Sequence, residues 1–195
     1  MTEKRIKILS EPEVDELYSP PSFNEQDQRF FFSLNDADLQ MAQRIRDRRN
    51  KCMFVVLLGY FRSKPIQIIP RYNQIKADLK FVAGNILPGQ GLKPFNLKQR
   101  DKDRVYTRIF ELLGHSAWDE KRHKPLLYGA LLDQSDSWIA PRALFDYAIE
   151  YLAHQKIAIP AYSTLQKVIS QVLVQHQNTL VGPENRSQLI LLHVF

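Results

Sequence analysis

Cysteine is all but missing from this chain: Cys52 is the only one in 195 residues. A lone thiol excludes an internal disulfide, leaves no cysteine set for a structural zinc, and fits a reducing cytoplasm. Glycine is scarce as well, with 7 residues against 11 prolines. A turn-rich all-β fold needs more glycine, whereas prolines at helix starts suit a helical chain. The longest apolar run, Met53 to Phe61, falls far short of the roughly 20 residues of a membrane span. The opening Met-Thr-Glu-Lys-Arg-Ile-Lys lacks the apolar core of a signal peptide, and no useful strand-period alternation occurs. The expectation is an all-α fold of two packed helical subdomains with helix-turn-helix-like corners.

Catalytic groupings are equally thin. His115, His123, His154, His176 and His193 never fall three or four residues apart, so no metal-binding face forms. The acid pairs Asp36/Asp38, Asp101/Asp103 and Asp133/Asp136 sit near expected helix ends, where capping and dipole interactions account for them. Gly89-Gln-Gly91 is too short to cradle a phosphate and lacks a following lysine–serine pair. Cys52 reads as a small core hydrophobe. Neither a cofactor nor a metal nor an enzymatic activity is expected of this chain.

What the chain does have is positive charge in one place. The formal net charge is +6, but residues 1–34 balance at −3, residues 35–110 at +10 and residues 111–195 at −1. An excess confined to the middle points to a polyanionic partner, or to a lysine-rich solvated face.

Residues 1–30, acidic and broken by Pro12, Pro20 and Pro21, read as a strap that Phe30-Phe31-Phe32 anchors on the core. Ser33 with Asp36 forms a capping pattern ahead of a helix bearing Leu39, Ala42 and Ile45. Asn50 would cap a second helix, apolar all round and so deeply buried, which Pro65 ends. Pro70 can open a third helix with Ile75, Leu79, Val82, Ala83 and Ile86 on one face. The break at Pro88–Pro94 divides a first module, 31–90, from a second, 91–178; residues 179–195 read as a linker toward a missing C-terminal region. In the second module Asn96 caps a helix that Gly114 stops, a further helix covers about 124–134, Pro141 starts another, and Tyr162 or Ser163 opens the last.

Two places could meet nucleic acid. Arg44, Arg46, Arg48, Arg49, Asn50 and Lys51 crowd the first helical corner, with Arg62 and Lys64 at the far end of the next helix. Cations this dense repel one another unless an anion offsets them, and phosphates supply that anion. The competing reading is a solvated helix end paired with Asp47. Tyr162, Ser163, Thr164, Gln166 and Lys167 present hydroxyls, an amide and an ammonium at a helix N-terminus, a set that meets phosphates and base edges or simply caps the helix.

Phe32-Ser-Leu-Asn-Asp-Ala-Asp-Leu39, the arginine run, and Asn50-Lys-Cys-Met-Phe-Val-Val-Leu-Leu-Gly-Tyr-Phe-Arg62 resemble the N-terminal region of Tn-three family transposases. Arg108-Ile-Phe-Glu-Leu-Leu-Gly-His-Ser-Ala-Trp118 and Lys156-Ile-Ala-Ile-Pro-Ala-Tyr-Ser-Thr-Leu-Gln-Lys-Val-Ile169 are similar to two later elements of that region. The likeness runs in order from about residue 30 to 177. Met53 stands where the family often has glycine, Lys51 replaces an arginine, and Lys64-Pro65 replaces a tyrosine-proline-glycine turn. The resemblance implies binding of double-stranded DNA at transposon terminal inverted repeats, in a bacterial, nucleoid-associated setting, with the rest of the transposase polypeptide as a partner and a homodimer allowed. It places catalysis in a later domain whose three acidic residues bind two divalent metals, and nothing in this chain matches that domain. The alternatives are a protein-interaction module docking an acidic partner and a truncated regulator of transposition.

Overall fold

The computed structural model describes residues 6–89, 92–95, 98–135 and 140–180. It is all-α: among the described residues there are nine α-helices and no strand longer than an isolated bridge. The chain forms two compact units. Of the described residues, one unit holds those of 12–118 and returns for 155–159; the other holds those of 6–11, 119–154 and 160–180.

The first unit is built on α4 (Arg48–Ser63), which packs against α2 (Glu25–Phe31), α3 (Asp36–Gln43), α5 (Lys76–Phe81) and α6 (Gln99–Leu113). Every residue of α4 from Cys52 to Phe61 is buried. A helix that is apolar on all sides must be covered on all sides, and each large side chain so covered contributes about 1.5–3 kcal/mol. Gly59 permits the closest approach, because a Cβ there would sit 2.5 Å from the Phe32 ring. Of the three consecutive phenylalanines, Phe32 is the anchor; Phe31 stacks on Phe23 and Phe30 is exposed.

The acidic strap carries two helices, α1 (Glu11–Tyr18) and α2. Caps fall elsewhere than expected. Asn35 caps α3 in a reciprocal box with Asp38, while the Ser33 hydroxyl donates to Phe30 O at 2.7 Å. Asp47 caps α4 by accepting from Asn50 N at 2.8 Å, so Asn50 lies inside the first turn. The stretch after Pro70 is a 3-10 turn (Tyr72–Gln74), then α5, then a π-helical turn (Val82–Ile86). The Pro88–Pro94 break is not a unit boundary, because α6 packs on α4 and stays in the first unit. Asn96 lies outside the described residues, and α6 starts after Lys98 with no side-chain cap. Gly114 ends α6 in the left-handed conformation, as expected. Residues 155–159 run beside 65–66 and 116 in two parallel bridges, with Ile159 N donating to Pro65 O and Ser116 N to Lys156 O, both at 2.9 Å.

The second unit is three mutually packed helices, α7 (Glu120–Ser135), α8 (Pro141–His154) and α9 (Tyr162–Leu180). The first of these begins four residues earlier than expected, since the Asp119 carboxylate caps it through Arg122 N at 2.9 Å. Pro125 is therefore carried inside the helix.

Candidate nucleic-acid interface

α3 ends at Gln43 without an arginine of its own, so the basic run falls on the turn and on the first turn of α4. Arg44 and Arg46 are exposed in that turn. Together with Asn50 and with Arg104 and Arg108 from α6 they line a hollow of about 320 Å³, which also holds the capping Asp47 and Asp101. Among the described residues no carboxylate forms an ion pair with any of these four arginines. The apolar face of α6, formed by Val105, Tyr106, Ile109 and Phe110, is buried. That orientation leaves Arg104 exposed and Arg108 half-exposed. Sequence reasoning misses both, although Arg100, Arg104 and Arg108 are spaced four apart, a repeat that puts them on one helical face.

The remaining cations of the corner point elsewhere. Arg48 turns inward and donates from Nη2 to Ala83 O at 3.2 Å and Leu87 O at 2.7 Å, closing the end of the π-helical turn. This removes it from the expected phosphate cradle. The Arg49 guanidinium lies over the Phe95 ring, 5.8 Å from its centroid, and Lys51 does not reach the hollow. Arg62 donates from Nη2 to both oxygens of the buried Asp38 at 2.8 and 2.7 Å. Lys64 donates to the carbonyls of Glu16, Leu17 and Ser19 at 2.7, 3.3 and 3.2 Å. Burial pushes its ammonium below the ordinary lysine range, and the nearby Glu16 charge partly offsets this. Arg62 and Lys64 are thus internal fastenings and are not available to a groove.

A helix-turn-helix reader lays its second helix in the major groove. Here the second helix, α4, is buried from Cys52 to Phe61, so it cannot lie in a groove as a reading helix.

The second predicted place is largely occupied. The Tyr162 hydroxyl accepts from Ile8 N at 3.1 Å and Leu9 N at 3.0 Å, and Gln166 Nε2 donates to Ile6 O at 2.9 Å. These two side chains hold the N-terminal segment on α9. Ser163 is exposed, while Thr164 and Lys167 are half-buried.

The fold and this hollow define an all-α module with an arginine-lined surface. A family model described as "Domain of unknown function (DUF4158)" matches residues 8–172, and the chain belongs to that family. No curated protein and no solved structure matches it.

Proposed function

We propose that this chain is a DNA-binding module, the N-terminal part of a transposase, that holds double-stranded DNA at transposon terminal inverted repeats. The reading is carried by one observation: Arg44, Arg46, Arg104 and Arg108 line one hollow without carboxylate ion pairs among the described residues. Four guanidinium groups so placed repel one another, and Asp47 and Asp101 supply only part of the compensation. A run of phosphates supplies the rest, and arginine suits it by offering two parallel donors to each phosphate. The resemblance to Tn-three family transposases supplies the kind of DNA, the remaining transposase polypeptide as partner, and the nucleoid as location. On this reading the chain binds without cutting.

The test is fluorescence anisotropy with a labelled terminal-repeat duplex at two salt concentrations. Arg44→Ala combined with Arg104→Ala should weaken binding at least tenfold and reduce the salt-dependence slope by about 0.9 for each phosphate no longer neutralised. Arg142→Ala, which breaks an exposed pair with Asp146 on α8, should leave both quantities unchanged. Equal affinity of wild type and the double variant at both salt concentrations rules the hollow out, and no duplex affinity at moderate salt favours an acidic protein partner.

A further inference from the structure

Beside the arginine hollow, on the same unit, lies a second and larger cleft of about 500 Å³. Its walls include Met53, Tyr72 and Phe95, with Arg71, Asn73 and Lys102 around them, and no carboxylate lines it among the described residues. Tyr72 and Phe95 meet edge to face, 5.7 Å between centroids and 61° between planes. The Arg49 guanidinium also lies over the buried Phe95 ring. Tyr72 is only half-buried and also borders a neighbouring hollow, which carries Lys76 and Lys80 and, among the described residues, again no acid.

Flat aromatic walls inside a cationic rim answer to a flat, electron-rich ring joined to an anion, which is the chemistry of a nucleotide. The volume lies within the range of small-ligand clefts. In an intact duplex the bases are stacked inside and cannot enter such a cleft, whereas an unpaired one can. The two sites are also neighbours in sequence. Asn50 lines the arginine hollow and Met53 the cleft, one turn apart on α4; Asp101 and Lys102 divide in the same way on α6. We propose that the cleft takes one unpaired nucleotide of a DNA strand, its base against Tyr72 and its phosphate at Arg71 and Lys102. This rests on the DNA-binding reading and adds to it: the module prefers an end or a flank where strands have parted.

The test compares a blunt duplex with the same duplex carrying a short single-stranded overhang that contains 2-aminopurine, whose fluorescence reports stacking. The overhang should bind about tenfold tighter and its fluorescence should change on binding. Tyr72→Leu and, separately, Arg71→Ala should each abolish the preference while leaving blunt-duplex affinity and the melting temperature as in wild type. Arg71 is exposed, so that variant keeps the test valid should Tyr72→Leu fold poorly. Equal affinity for blunt and overhang duplexes would overturn the cleft while leaving duplex binding intact. Tyr72-dependent binding of the overhang with no blunt-duplex binding would support the cleft and remove the duplex reading. Binding of neither substrate would overturn both.

Discussion

Asp38 shows how a single residue can carry what looks like a recognition motif. Its carboxylate is 1% exposed, caps α3 by accepting from Asn35 N at 3.0 Å, and receives Arg62 on both oxygens. The Asn35-Asp-Ala-Asp38 stretch and Arg62 are thereby explained as a clasp between α3 and α4. Removing one partner of a buried ion pair leaves the other charge uncompensated, which costs about 3 kcal/mol where one side is partly wetted. Arg62→Met should therefore lower the unfolding free energy by about that amount in urea melts followed by circular dichroism. A loss below about 1 kcal/mol would place this pair with ordinary surface bridges. The same geometry shows what sequence could not supply. Charge and spacing identify Arg44, Arg48 and Arg62 as cations near one corner, but only the packed backbone decides that Arg44 faces water while Arg48 turns onto the carbonyls of Ala83 and Leu87. Cys52 behaves as expected: it is fully buried, and burial pushes its thiol up against the opposing pull of Arg48 and Lys51.

Elements are more legible in the sequence than their ends. The continuous apolar run of α4 and the periodic apolar faces of α6, α8 and α9 are strong signals, and each of those helices forms. Caps are harder, because the chain offers several candidates within a few residues. Asn35 prevails over Ser33 by closing a reciprocal box with Asp38, and Asp47 over Asn50 by lying where the chain first leaves extended geometry. The helices of the strap escape sequence reading because a stretch with Pro12, Pro20 and Pro21 gives little periodicity. α1 buries no residue. Lys64 fastens its end, an ammonium on three carbonyls at the helix C-terminus, where a cation also meets the favourable end of the dipole. Lys64→Met should cost about 1–2 kcal/mol and, more tellingly, raise amide exchange across Glu11–Tyr18 while leaving α4 protected. Unchanged exchange in α1 would mean that other contacts hold it.

Across the whole molecule, net charge and stability answer to different groups. The excess of +10 in residues 35–110 favours anions near that unit, whereas a buried histidine in the other unit contributes to the response to acid. His123 is 4% exposed, and its Nδ1 accepts the backbone N–H of Asp119 at 3.0 Å, a role that a protonated ring cannot play. Burial first, and then the Arg122 charge, hold it below its ordinary 6.5, against an opposite pull from Asp119. A base whose folded value is depressed is protonated more readily in the unfolded chain, so protons favour unfolding once the pH falls below about 6.5. Every tenfold difference in proton affinity between the two states is worth about 1.4 kcal/mol. Asp119, held below the usual carboxylate range mainly by the Arg122 N–H, adds a separate loss only near pH 4 and below. The two contributions are thus separable by pH. His123→Asn keeps an acceptor near Nδ1 and cannot titrate. Between pH 7 and pH 5 the variant should lose less stability than wild type in urea melts, and the two should run parallel above pH 7. Identical slopes from pH 7 to pH 5 would mean that His123 takes up its proton equally well in the folded and unfolded chain.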